Sequence, residues 1–432
     1  MPAVCFYFQV HQPFRIKKYQ VFDIGNDHQY FNDNSESDLN NEKILRRVAD
    51  KCYLPANNTL LELLNHYPDF KISFSFSGVA LEQFERYYPQ VLDSFRALVD
   101  TGRAEVLSET YYHSLSFVYS KDEFKKHVQK HREMVQRLFK VTPKIFRNTE
   151  LIYNNELAAE VEAMGYDAIL AEGADHILGW RSPNFLYRPS GTQRIRTLLK
   201  NYRLSDDIAF RFSQQSWKEY PLTAPKFARW VNEANGNGHL INLFMDYETF
   251  GEHQWQETGI FNFLRALPEY ILAHPDNSFV TPSEAVQRFE PLGELDVPHL
   301  MSWADEERDL SAWLSNSLQY DAIGKLYELE NQVLETGDAQ LIEDWRRFQT
   351  SDHFYYMCTK WFSDGDVHKY FNPYESPYDA FISFMNALND LKIRIRRKKL
   401  QTALSKQQKP VKLRSVVRKN VVKKKVARIG KG

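Results

Sequence analysis

The sequence predicts an α/β fold: an incomplete, seven-stranded (β/α)7 barrel over residues 1–295, a helical C-terminal region over 296–400, and a basic, disordered tail over 401–432. Three observations carry this. Short runs rich in β-branched and aromatic residues recur along the first 295 residues, and several are apolar throughout, as strands covered on both faces are. Segments with apolar residues at helical spacing lie between many of them, and such alternation implies parallel strands joined by crossover helices. Beyond about residue 300 the strand signal fades.

The expected strands, in order, are "VCFYFQV" (4–10), "KISFSFS" (71–77), "AEVLS" (104–108), "KIFRN" (144–148), "AILAE" (168–172), a sixth around "FLYRPS" and "IAFRF" (185–212), and "LINLFMDY" (240–247). Seven is one short of the usual barrel. "LEQFERYYPQVLDSFRALVDTG" (81–102) reads as helix ending on Gly102, and "NNELAAEVEAMG" (154–165) ends the same way on Gly165. In "TPSEAVQRF" (281–289), Thr281 reads as N-cap, Pro282 as the first helical residue and Glu284 as the capping-box acid. Residues 18–43 lack a period and read as a long loop over one end of the barrel. "ERDLSAWLSNSLQYDAIGKLYELENQVLE" and "YDAFISFMNALNDLKIRIRRKK" supply the helices of the C-terminal region.

Charge is split along the chain. The 432 residues hold 55 Lys+Arg and 56 Asp+Glu, a net of -1. From Leu391 onward there are 17 Lys+Arg and no acid, so residues 1–390 hold 55 − 17 = 38 basic residues against 56 acidic ones, a net of -18. An acidic body argues against a protein built to grip phosphates, leaving only the tail as a place for nucleic acid. Three cysteines without a CxxC pair suit a reducing compartment and no structural zinc. With no signal peptide and no apolar run of spanning length, the expectation is a cytoplasmic protein without a membrane partner.

In a parallel barrel, chemistry gathers at the C-terminal strand ends. Those ends give His11 and Gln12; Ser77 and Gly78, with Glu82 beyond; Glu109, Tyr111, Tyr112 and His113; Arg147, Asn148 and Glu150; Glu172; and Asp246, Tyr247 and Glu248, then His253. Singly, a glutamate at a strand end is more often a helix-start residue or a salt-bridge partner. Together, carboxylates aimed into one mouth repel and cost stability unless they have work to do. Two carboxylates in one cleft without a cofactor signature fit glycoside hydrolysis, one attacking the anomeric carbon and one protonating the leaving oxygen. Arg147 beside Glu150 favours the ionised form a nucleophile needs. His127 and His131, at i and i+4, have a zinc-compatible spacing but sit on a basic helix away from the strand ends, as surface or packing residues do. No GxxxxGK[ST] and no GxSxG is present, which removes support for nucleotide-binding and serine-hydrolase chemistry.

The strand-end segments resemble those of glycoside hydrolase family 57, which contains α-amylases and 4-α-glucanotransferases on an incomplete seven-stranded barrel. "FQVHQP" (8–13), "GVALEQF" (78–84), "FRNTELIY" (146–153), "LFMDYETFGEH" (243–253) and "WADEERDLSAWLSN" (303–316) resemble its five motifs in order. The resemblance implies Glu150 as nucleophile, Asp246 as acid/base, and a retaining reaction on α-1,4-glucans or maltodextrin through a covalent glycosyl-enzyme. It also implies that His11 lines the sugar subsite at the bond cleaved. The expected substrate-binding residues are His11, Gln12, Glu82, His113, Arg147, Trp180, Glu248, His253, Asp309 and Trp313; Trp180 and Trp255 are candidate acceptor surfaces, although either reads more readily as ordinary packing. No metal and no cofactor is expected. A 4-α-glucanotransferase is the alternative, followed by a metal-dependent carbohydrate deacetylase built on the histidine pair, and a non-catalytic glucan-binding protein.

Overall fold

The computed structural model describes residues 2–35, 38–360 and 367–407. Seven strands position the site: β1 (Ala3–Val10), β2 (Ile72–Phe76), β3 (Ala104–Leu107), β4 (Ile145–Arg147), β5 (Ala168–Glu172), β6 (Arg196–Lys200) and β7 (Leu240–Asp246). All pair in parallel, in the orders β3-β2-β1-β7 and β4-β5-β6. Hydrogen bonds join the two sheets at both edges. Ser108 N–H donates to Ile145 O at 2.9 Å and Arg147 N–H to Ser108 O at 2.8 Å; Asn201 N–H donates to Asn242 O at 2.9 Å and Asn242 Nδ2 to Leu199 O at 2.8 Å.

Strand periodicity sorts the core into two layers. In β1, Ala3, Cys5 and Tyr7 face an inner cluster with Leu107, Ile145, Leu170, Leu198 and Phe244, one or two residues from each of several strands. Val4, Phe6, Phe8 and Val10 face outward into the cluster that the helices cover. Because both faces are covered, all eight residues of β1 and all five of β2 and β5 are buried, so their sequences need no polar alternation. β2 turns Ser73 and Ser75 inward, where their small side chains leave room for Tyr7; Ser73 donates to Phe6 O at 2.6 Å, and Ser75 lies 2.7 Å from the Tyr7 hydroxyl.

The helices follow their local signals, with instructive departures. Residues 78–100 form two helices, Gly78–Tyr87 and Pro89–Asp100, broken where Pro89 opens the second. A Cβ on Gly78 would lie 2.4 Å from the Tyr111 ring, so only glycine admits that approach. The capping box at Thr281 and Glu284 forms as expected, with both reciprocal bonds made. The sixth strand is "RTLLK" rather than either expected run: "IAFRF" begins as the last turn of helix Tyr202–Ala209, which Asn201 caps by accepting from Leu204 N–H at 3.1 Å.

Helices Ser317–Tyr327, Ala339–Arg347 and Pro377–Gln407 pack against the outer cluster, with Trp345 buried between them and donating to Leu326 O at 2.9 Å. The last helix passes the expected boundary at 400 and runs to Gln407; the tail from 408 on lies outside the described residues. It also clamps the loop near the N-terminus. Buried Asp390 accepts from Gly25 N–H at 2.6 Å and from the Tyr30 hydroxyl at 2.5 Å, and the Tyr374 hydroxyl donates to Ile16 O at 2.5 Å. No helix among the described residues is long and apolar enough to cross a membrane.

Candidate active site

A cavity of about 860 Å³ opens at the C-terminal ends of the strands. Glu150 reaches it by an unusual turn. β4 ends on Arg147, and the chain then places Glu150 (φ 56°) and Leu151 (φ 51°) consecutively in the left-handed region. That conformation costs about 1–2 kcal/mol per non-glycine residue. The surroundings enforce it: Leu151 is fully buried, and the Glu150 carbonyl accepts from Trp303 N–H at 3.2 Å.

The Glu150 carboxylate is held at both oxygens. His113 Nε2 lies 3.0 Å from Oε1, and Trp303 Nε1 donates to Oε2 at 2.7 Å. Behind His113, its Nδ1 faces Oε2 of the buried Glu109 carboxylate at 3.7 Å, and Arg147 Nη1 lies 3.6 Å from the same oxygen. Burial opposes a charged imidazole, but Glu109 and Glu150 outweigh it and raise the His113 pKa to about 9. Burial alone would likewise raise Glu150; the His113 imidazolium, Arg147 and the Trp303 N–H overcome it and hold the carboxyl below its ordinary value. Glu150 is therefore an anion at neutral pH.

Asp246, the last residue of β7, lines the same cavity and has the opposite character. Burial and the negative charge of Glu150 push its pKa up to about 6, against the pull of Arg147 and His113. Glu248 goes further, to about 8, through burial and the charge of Asp246; its carboxyl is bonded by the Tyr53 hydroxyl and by Gln12 Nε2 at 3.4 Å.

His11 stacks on His113 with centroids 3.9 Å apart and planes inclined by 20°. Its Nδ1 lies 2.6 Å from Ser77 Oγ and its Nε2 2.8 Å from Asp352. Burial and the positive His113 lower its pKa, so the stacked pair carries one positive charge. His253 is also lowered, to about 4, by burial.

Nine of the twelve residues expected from the sequence thus meet at this cavity: Glu150, Asp246, His11, Gln12, His113, Arg147, Glu248, His253 and Trp313. Three lie elsewhere. Glu82 binds the Tyr111 hydroxyl at 2.5 Å and Arg347 at 2.7 Å, tying two helices together. Asp309 caps its own turn, accepting from Ser311 N–H at 2.8 Å. Trp180 is 93% exposed and outside the cavity, whereas Trp255 is on its wall. His127 and His131 are buried packing residues, bonded to Ser114 Oγ at 3.0 Å and Phe76 O at 2.7 Å, which removes the feature on which a deacetylase reading rested. Asp352 and Trp303 were missed. Trp303 opens the fifth motif-like segment, but nothing marks Asp352, which arrives from a helix about 340 residues beyond its partner His11.

The sequence profile of glycosyl hydrolase family 57 matches residues 5–298. A provisionally named α-amylase of Methanocaldococcus jannaschii is 44% identical over 91% of this chain and 85% of its own length. A 4-alpha-glucanotransferase of Thermococcus kodakarensis is 24% identical over 58% of this chain, which spans only 38% of that protein. Among solved structures, the branching enzyme of Pyrococcus horikoshii superposes with a TM-score of 0.64 at 16% identity, covering 86% of this chain and 87% of that one.

Proposed function

This chain belongs to glycosyl hydrolase family 57, and on that premise we propose that it is a retaining enzyme of the α-amylase type, cleaving α-1,4-glucans on a seven-stranded (β/α)7 barrel. The barrel reading is supported by seven parallel strands in chain order, with hydrogen bonds at both joins between the sheets. The reaction reading rests on one observation above all: two carboxyl groups in one cavity with opposite protonation tendencies. Glu150 attacks the anomeric carbon and forms the glycosyl ester. As the glycosidic bond breaks, Asp246 gives its proton to the leaving oxygen. It then takes a proton from the water that attacks the ester, and Glu150 departs as the carboxylate. The His113 imidazolium and the Trp303 N–H stabilise that carboxylate whenever it is free.

The α-glucan specificity is supported by the names of the relatives, α-amylases and glucanotransferases. The three free, buried cysteines suit a reducing compartment, so the reading is of a cytoplasmic enzyme. Transfer to a second glucan is the alternative, favoured by exposed aromatic side chains on the cavity wall, Trp255 at 61% and Tyr370 at 63% exposure, as surfaces for an acceptor sugar. Incubation with maltoheptaose separates the two: shorter sugars alone mean hydrolysis, and a ladder above the starting length means transfer. An unchanged substrate would refute both.

A further inference from the structure

The cavity wall carries a second charged group that the reaction above does not use. β5 and β6 end on Glu172 and Lys200, helix Tyr202–Ala209 presents Asp206, and the segment after residue 300 presents Arg308. Lys200 Nζ donates to Asp206 Oδ1 at 3.0 Å and lies 3.7 Å from Glu172 Oε2. Arg308 Nη1 is 3.4 Å from Glu172 Oε2, and its Nη2 is 3.7 Å from Asp206 Oδ2. Lys200, Asp206 and Arg308 line the cavity, with Glu172 buried behind them. Two cations balance two anions, so the group favours a neutral ligand over an ion.

Trp303 ties this group to the reacting centre. Its Nε1 donates to the Glu150 carboxylate, its carbonyl accepts from Arg308 Nη1, and Lys200 Nζ stands 5.2 Å from its ring centroid. The charged group is therefore one indole away from the nucleophile.

Partly buried ion pairs add little to stability once desolvation is counted. Arg308 moreover sits at φ 53°, a conformation unfavourable for any residue but glycine. The geometry suits a ligand better than a structural pair. The 3.7 Å gap between Arg308 and Asp206 exceeds a hydrogen bond. A hydroxyl oxygen entering there accepts from the guanidinium and donates to the carboxylate, and a neighbouring hydroxyl accepts from Lys200 Nζ, whose ammonium has donors to spare beside its bond to Asp206.

We propose that Asp206, Arg308 and Lys200 form a specificity subsite that reads the vicinal 2,3-diol of one glucosyl unit beside the bond cleaved. This rests on the α-glucan reading above.

The test uses aryl maltooligosaccharides in which the 2- or 3-hydroxyl of one ring at a time is replaced by hydrogen. Wild-type protein is compared with Asp206→Asn and Arg308→Gln, both checked for an intact thermal unfolding transition. A site built around a substrate hydroxyl discriminates strongly against its removal. For a single ring, the wild type is expected to lose at least about tenfold in kcat/KM, while a folded variant loses less than about threefold for the same change. Either variant suffices if the other fails to fold. An equal loss in wild type and variant, or no ring-specific loss in the wild type, overturns the subsite while leaving the α-glucan reading standing. A wild type that cleaves no parent maltooligosaccharide overturns that reading and the subsite with it.

Discussion

Glu150 and Asp246 differ by one methylene, and their neighbours decide what each does. Glu150 faces an imidazolium, a guanidinium and an indole N–H; Asp246 faces mainly burial and the Glu150 charge. Replacing Glu150 by Gln is expected to leave the unfolding transition near that of the wild type and to lower kcat on maltodextrin at least about 10³-fold, since the ester can no longer form. The pH profile follows from the same pair. In the proposed reaction Glu150 must be ionised and Asp246 protonated, so kcat/KM is expected to fall above about pH 6 as Asp246 loses its proton and to fall again at acid pH as Glu150 gains one. His113→Gln removes the imidazolium, raises the Glu150 pKa and moves the acid limb upward, narrowing the bell. Glu248 makes a separate prediction about stability. Its folded pKa, about 8, is above the unfolded value, so between roughly pH 4.3 and 8 the folded state binds the extra proton and stability falls as pH rises. Glu248→Gln should lessen the drop in Tm between pH 5 and pH 8; an undiminished drop would mean that Glu248 is not protonated in the folded state. At this scale the sequence is informative where a residue leaves a strand: His11, Gln12, Arg147, Glu150, Asp246 and Glu248, six of the nine cavity residues, do so directly. Glu82 and Asp309 misled because a motif-like position does not fix where a side chain points, and Asp352 was silent because its pairing with His11 exists only after folding.

Strands with both faces covered are readable because burial demands apolar runs, and six of the seven were placed within a residue or two. The sixth was not, because "RTLLK" is short, flanked by cations and less apolar than the helix that follows. Burial inside the molecule, rather than local preference, makes it a strand. The glycine that opens helix Gly78–Tyr87 shows the same limit. Nothing local demands Gly78, yet the Tyr111 ring fills the space of its missing Cβ. Gly78→Ala is expected to destabilise by about 1–3 kcal/mol, measured by denaturant unfolding, through overpacking against that ring. A neutral result would mean that Tyr111 has room to move.

Across the whole molecule, the helical region does more than lie beside the strands. It supplies Asp352 to the cavity and, through Asp390 and Tyr374, holds the segment that runs from His11 toward the first helices. Truncation after Gln407 keeps Asp390, Tyr374 and the last helix to Gln407, and should leave kcat/KM on maltodextrin within roughly a factor of 2. Truncation after Ser376 removes Asp390 and the whole last helix, and should lower the Tm and the activity together. A loss of activity from the shorter deletion would show that the tail reaches the cavity.

In the proposed reaction Glu150 becomes covalently joined to the sugar. The most direct measurement is the mass of the protein, and then of its peptides, after reaction with a fluorinated maltosyl fluoride that forms the ester quickly and hydrolyses it slowly. One maltosyl adduct per chain is expected, carried on the peptide containing Glu150. An adduct on Asp246, or turnover of the reagent with no adduct and with inversion at the anomeric carbon, would contradict it.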